Sequence, residues 1–350
     1  MRCFWVMFGL CVAAACGSAR PDASLHVLRY ATPYPPQHPF SRADKQWVEH
    51  VEAASGGRLH IDPFWSGSIS SADQSLLELR HGVADIAAIQ PIYTRGGVHA
   101  LRAQAAFYAG ARTFEEQVTI YKCLARTYPA LSAELPDLRV LAVQGGNLPG
   151  LLTRSRPIHS VRDLAGLRLR VPSELIGLMR ALDADPVNMP MGDVYSALAK
   201  GLIDGVVAPP DTLRAVHLAE VGKHYAELEI PRGAYPARAI RSRSYERLPS
   251  DLRNILDQSS ELWERALASE LTQALEAGRH YGQEHGLAFT KLSEAEQQTL
   301  VAAYDQAARD QARSLTARGI AGPAMLESAH KWIRHLHDGP ASAPASCAQD

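Results

Sequence analysis

Fourteen histidines and five cysteines invite a search for metal or nucleophilic chemistry. None of the required spacings is present: there is no His-Glu-x-x-His pair, no Gly-x-Ser-x-Gly elbow and no Cys-x-x-Cys. His330, His335 and His337 stand beside Lys331 and Arg334, the pattern of a solvated helix face, so no metal and no cofactor is expected. Gly145, Gly146 and Gly150 supply the glycines of a phosphate loop, but no Gly-Lys-Ser/Thr and no capped helix follow them. Arg168 and Arg170 stand two places apart in the strand-like stretch 167–171, where an arginine by itself reads as a surface residue of a strand end, although a guanidinium presents a planar fork of donors that can meet both oxygens of a carboxylate. Alternation along a strand turns both to the same side, so the pattern alone does not choose between them.

The elements that would carry such residues alternate between strand and helix. Residues 25–31 read as a strand, 33–39 as a Pro-rich loop, and 41–55 as a helix capped by Ser41 and stopped by Gly56-Gly57. A second strand (58–65), a second helix (72–81) and the short apolar run 84–89 follow, the last with the look of a buried parallel strand. After a helical stretch (113–131) and a strand (138–144), the turn 145–150 looks like a crossing between lobes. Strands at 151–154, 167–171 and 204–208, with helices at 173–182 and 193–200, build a second such unit. One long helical tract, 250–284, would extend roughly 50 Å and run along both units. The fold class is α/β: two doubly wound lobes of periplasmic-binding-protein type, joined by crossover strands and a bridging helix. Residues 25–148 with about 236–275 form lobe I, and 149–235 with about 276–337 form lobe II.

Ligands of open α/β sheets lie beyond the carboxyl ends of strands. That places Gln90 and Tyr93 after one strand, Trp65 after another, and Tyr34 after the first, as groups that hydrogen-bond a ligand's polar end or cover its apolar part. Asn147 and Met191 are candidate cleft positions from the second lobe, Met191 because a soft thioether fits an apolar ligand face.

The first sixteen residues pair one positive charge, Arg2, with an apolar run too short to span a bilayer, as an export signal does. Small residues then lead to Cys16-Gly17-Ser18, a lipobox-like ending in which Cys16 is a candidate lipid acceptor; ordinary cleavage nearby is the alternative. The charge balance, 36 basic against 37 acidic residues, carries no basic block and argues against nucleic acid as a partner. Once the leader is set aside, Cys123 and Cys347 remain. One lies in a helical pattern and the other in a Pro/Ala/Ser tail (338–350) expected to be disordered, so no structural disulfide is expected between them.

Five phrases in order carry a family resemblance: Ser55-Gly56-Gly57-Arg58-Leu59; Leu79-Arg80-His81-Gly82-Val83-Ala84-Asp85-Ile86; Asp163-Leu164-Ala165-Gly166-Leu167-Arg168-Leu169-Arg170-Val171-Pro172; Asp193-Val194-Tyr195-Ser196-Ala197-Leu198-Ala199-Lys200-Gly201-Leu202-Ile203-Asp204-Gly205; and the closing Pro209. Together they resemble the substrate-binding protein of tripartite ATP-independent periplasmic (TRAP) transporters, of the DctP-like, dicarboxylate-binding type. The likeness covers roughly residues 25–332. It implies a cleft that closes on a ligand carboxylate held by an arginine, which by position is Arg170. Two departures matter. Relatives often carry a second arginine where this chain has Pro149 and Gly150, and an asparagine before the proline where it has Ala208. One cation is therefore expected to be lost, and a ligand with one carboxylate and a less polar body would suit both changes. The implied function is capture of a small organic acid, without catalysis, by a monomeric periplasmic protein, tethered if Cys16 is lipidated, that hands its ligand to the membrane subunits of a TRAP transporter. A secreted α/β enzyme acting on a small carboxylate and a structural surface lipoprotein are the alternatives.

Overall fold

The computed structural model describes residues 24–338 and Cys347. The leader, Cys16 and the rest of the tail lie outside the described residues. Four strands come first: β1 (His26–Ala31), β2 (Leu59–Phe64), β3 (Ile86–Ala88) and β4 (Leu138–Gln144). Then follow β5 (Gly150–Thr153), β6 (Arg168–Arg170), β7 (Asp185–Val187), β8 (Gly205–Ala208) and β9 (His224–Glu227), and finally β10 (Tyr235–Arg241) and β11 (Ala288–Lys291). They form a five-stranded sheet in the order β2-β1-β3-β10-β4 and a six-stranded sheet in the order β11-β9-β5-β8-β6-β7. In the first, β1 pairs parallel with β2 and β3, while β10 runs antiparallel between β3 and β4. In the second, β5 runs antiparallel between β8 and β9, and the remaining pairs are parallel. Each sheet thus receives one reversed strand where the chain crosses from the other.

The inner strands β3, β5, β8 and β10 are buried on both faces, whereas β1 and β2 alternate, with Val27, Arg29 and His60 exposed. In the first lobe Tyr30, Ile86, Ala88 and Ile240 face one core, while Ala31, Ala87 and Ala239 face another. In the second, Leu151, Leu169 and Val207 face one core, and Leu152, Val206 and Ala208 the other. In the inner strands period-two alternation sorts residues between two helical layers.

The expected helix over 250–284 is two helices, Ser250–Gln258 and Ser260–Glu284, broken at Ser259. The Ser259 hydroxyl donates to the Leu256 carbonyl at 2.8 Å and accepts from Trp47 Nε1 at 2.8 Å. A buried serine used in this way diverts the backbone from a continuous helix. The longer helix still bridges the lobes, packing on Pro39–Ala54 of the first and Asp211–Ala215 of the second. Gly278 permits the second contact, because a Cβ there would lie 2.1 Å from the Pro210 carbonyl oxygen.

A second helix also spans both lobes. Along Glu294–Thr316, Leu300, Tyr304 and Ala307 join a second-lobe core, whereas Ala308, Ala312 and Leu315 join a first-lobe core. The helix that follows, Gly322–Asp338, packs on Phe114–Thr127 and His99–Gln104 of the first lobe, although the sequence placed 276–337 with the second. That return of the chain corrects the cysteine reading: Cys123 and Cys347 form a disulfide across 224 residues of sequence. Their separation along the chain was no guide, because the last helix folds back over the helix that holds Cys123. Among the described residues no helix is long and apolar enough to cross a membrane.

Candidate ligand-binding site

β6 is three residues long, yet its two arginines have different fates. Arg168, at its start, is exposed, with Nε 3.9 Å from an Asp185 carboxylate oxygen. Arg170, at its carboxyl end, is only 2% exposed. Its Nε donates to the Met189 carbonyl at 3.1 Å and its Nη1 to the Val207 carbonyl at 3.4 Å. Nη2 reaches across to the first lobe and donates to the Tyr93 hydroxyl at 2.6 Å. Three of the five guanidinium N–H groups are thereby engaged, which leaves one on each terminal nitrogen. No carboxylate lies within ion-pair distance of Arg170 among the described residues.

Around this guanidinium is a cavity of about 60 Å³ at the junction of the lobes. Ile92 and Tyr93 line it from the loop after β3, and Met191, Val207 and Ala208 line it from the second lobe. Both crossings contribute as well, through Pro149 and through Pro231 and Arg232. Ligand pockets generally enclose roughly 300–1,000 Å³. The space here is well below that range.

Four sequence-derived candidates, Arg170, Tyr93, Met191 and Ala208, meet at the cavity; four others sit behind it. Gln90 donates through Nε2 to the Tyr34 hydroxyl at 2.8 Å, and its backbone N–H donates to Ser75 Oγ at 3.0 Å. Tyr34 stacks on the His38 ring at 4.3 Å. Burial, with Tyr235 and Tyr93 nearby, pushes the Tyr34 hydroxyl well above its ordinary value. Burial, with Arg42 and Arg238 nearby, lowers the His38 imidazole to about 3, so the stacked ring is neutral. Trp65 packs edge-on to Tyr30 at 6.1 Å, in the first lobe's core. Asn147 Nδ2 donates to Asp211 Oδ1 at 2.8 Å and to the Leu271 carbonyl at 2.9 Å, which fastens a crossing to the bridging helix.

Two charged residues that the sequence did not single out line the same cavity. Glu174 follows β6 and is 8% exposed; Arg232 stands on the crossing into β10. The expected loss of a cation is therefore corrected: position 150 cannot hold one, but position 232 does. A Cβ on Gly150 would lie 2.4 Å from the Ala226 carbonyl oxygen and 2.7 Å from the Tyr225 hydroxyl, which donates to the Ala208 carbonyl at 2.8 Å. At Gly146 the missing side chain makes room for Arg232, whose guanidinium carbon would lie 2.5 Å from a Cβ. Burial pushes the Glu174 carboxyl up, against its own backbone N–H and the positive charges of Arg232 and Arg170. The cavity walls thus carry two arginines and one glutamate, a net single positive charge when all three are ionised.

A family model for bacterial extracellular solute-binding proteins, family 7 (DctP), matches residues 30–314. The chain belongs to that family. A family 7 chain is accordingly expected to share its architecture with solved TRAP binding proteins, and it does. One, from an unidentified marine microbe, is specific for aromatic acid ligands and was crystallised with 3-hydroxybenzoate; it superposes with a TM-score of 0.81 at 25% identity, covering 89% of this chain and 98% of that one. A second, from Rhodoferax ferrireducens with copurified benzoate, gives a TM-score of 0.81 at 25% identity over 89% of this chain and 99% of its own. In sequence, a solute-binding protein of Roseobacter denitrificans is 28% identical over 164 residues, 46% of this chain. That match spans 48%, about half, of the relative's length.

Proposed function

We propose that this family 7 protein captures a small monocarboxylate with an aromatic or otherwise apolar body, closes its lobes on it, and presents it to the membrane subunits of a TRAP transporter. The observation that carries the reading is Arg170, a guanidinium buried at the lobe junction with N–H groups to spare and no hydrogen bond or ion pair to a carboxylate among the described residues. A buried charge is costly unless paired, so this one calls for an anion from outside. A net single positive charge on the walls suits one carboxylate, and Ile92, Met191, Val207, Ala208 and four prolines suit an apolar body. The aromatic acids bound by the two solved relatives support the same class.

In this reading no bond is made or broken. The ligand touches both lobes only when they are closed, favours that state by its differential affinity, and so changes the surface offered to the transporter. The protein works in the periplasm as a monomer, held at a membrane if Cys16 carries lipid. Thermal denaturation against an organic acid panel tests the class: ligand at about 100 times its dissociation constant should add roughly 2.7 kcal/mol, with the acid recovered unchanged. Calorimetry tests the body, since aromatic monocarboxylates should bind more tightly than succinate or malate. Dicarboxylates ahead by about tenfold, roughly 1.4 kcal/mol, would overturn that part of the reading. Normal processing of Cys16→Ser, with native protein never in the membrane fraction, would remove the tether alone.

A further inference from the structure

The proposed carboxylate site leaves one group of the cavity unexplained. Glu174 lies there with its Oε2 atom buried and without a hydrogen-bond partner among the described residues. An unsatisfied buried acceptor is expensive, and more so when it is a carboxylate oxygen. The neighbouring Arg232 has no hydrogen bond or ion pair to another described residue, although its charge is felt by Glu174, Asp211 and Tyr235. The same small space therefore offers cationic donors for one ligand group and a lone acceptor for another. A ligand that brought only a carboxylate would leave the Glu174 oxygen unpaired in the closed cleft.

Resting on the monocarboxylate reading, we propose that Glu174 selects acids that also carry a hydroxyl: Arg170 and Arg232 take the carboxylate, and Glu174 Oε2 accepts from the hydroxyl. Charge decides between the available donors. Two arginines and one glutamate are balanced by a single carboxylate with a neutral hydroxyl. An ammonium donor, as in a zwitterionic amino acid, would leave the closed cavity one positive charge in excess, and a second carboxylate would leave it one negative charge in excess beside Glu174. Both are penalised where water is scarce. Arg232 is thus a specificity residue supplied by the second crossing, standing in for the cation that Gly150 cannot carry.

The test is calorimetry with matched acids that differ by one hydroxyl: benzoate against 2-, 3- and 4-hydroxybenzoate, and phenylacetate against mandelate. In the native protein the hydroxylated member of at least one pair should bind about five- to hundredfold more tightly, the range expected for satisfying a buried acceptor. Glu174→Ala should abolish that preference while the unsubstituted acid still binds. Glu174→Gln, which keeps the shape and an acceptor oxygen, should retain part of it. Arg232→Ala should weaken both members of a pair alike. Equal affinities across every pair, or a hydroxyl preference that survives Glu174→Ala, would overturn the role of Glu174 and leave the carboxylate reading standing. Unchanged affinities in Arg232→Ala would overturn the role of Arg232. Failure of every acid to bind would remove the carboxylate reading and this inference together.

Discussion

Each lobe buries an arginine on a central strand of its sheet, and the two are buried almost equally: Arg238 is 1% exposed and Arg170 2%. Their partners differ. Arg238 Nε lies 2.8 Å from Asp44 Oδ1, and the Asp44 carboxylate also accepts from Trp263 Nε1 at 2.8 Å and from the Tyr30 hydroxyl at 2.6 Å. Arg170 meets only the carbonyls of Met189 and Val207 and the Tyr93 hydroxyl. In the first lobe the countercharge is built into the chain, so the pair belongs to the folded state. In the second no carboxylate pairs with the guanidinium, and in the proposed reading the countercharge arrives with the ligand. Burial alone does not tell the two arginines apart; the carboxylate paired with one and not with the other does.

The comparison breaks most readily at Arg238. Arg238→Ala leaves Asp44 buried without its guanidinium and should cost about 3–5 kcal/mol of stability by chemical denaturation. Arg170→Ala removes an unpaired buried charge and should leave the denaturation midpoint near native; equal losses in the two variants would erase the distinction. Affinity should answer in reverse. Arg170→Ala should weaken ligand binding by about 2–5 kcal/mol, roughly 30-fold to several thousandfold, with Arg170→Lys recovering only part and the exposed Arg168→Ala unchanged in calorimetry. Loss of the disulfide by Cys347→Ser should lower stability by about 2–4 kcal/mol and leave affinity intact, since both cysteines sit on the first-lobe side. The smallest effect is expected at Tyr93→Phe. It removes the hydroxyl that takes one Arg170 N–H across the cleft, and calorimetry should register a change of about 1 kcal/mol.

Much of the architecture was legible in the chain, because strands buried on both faces leave mainly apolar runs such as 84–89, interrupted there by Asp85 alone, and the Gly56-Gly57 pair marks where a helix stops. The break at Ser259 was not. It depends on Trp47, more than 200 residues earlier, whose indole N–H the serine accepts. Arg170 came from family likeness: alternation makes it the twin of Arg168, and only its place at the inner end of β6 tells them apart. Glu174 and Arg232 left no signal of their own, for one stands in a turn after a proline and the other in a loop between lobes. Gly146 read only as part of the turn 145–150, and the structure alone shows that its missing side chain leaves space for the Arg232 guanidinium. Gln90, Tyr34, Trp65 and Asn147 do not line the cavity, and each has a partner inside the protein that its residue type could not reveal.

The helix Glu294–Thr316 has a mechanical consequence. Where it passes from one core to the other its buried apolar residues are Ala307, Ala308 and Ala312. Helices lock together through ridges of side chains seated in grooves, and a ridge of methyl groups is shallow. Small sliding displacements of packed helices are one of the two ordinary ways in which lobes close. At this changeover the helix is low in relief except at Gln311, whose Nε2 donates to the Glu174 carbonyl at 2.6 Å, and it is keyed at either end by Tyr304 on one side and Leu315 on the other. Travel would then be limited by the bulky residues at the ends of the track, while friction would be set by the alanines between them.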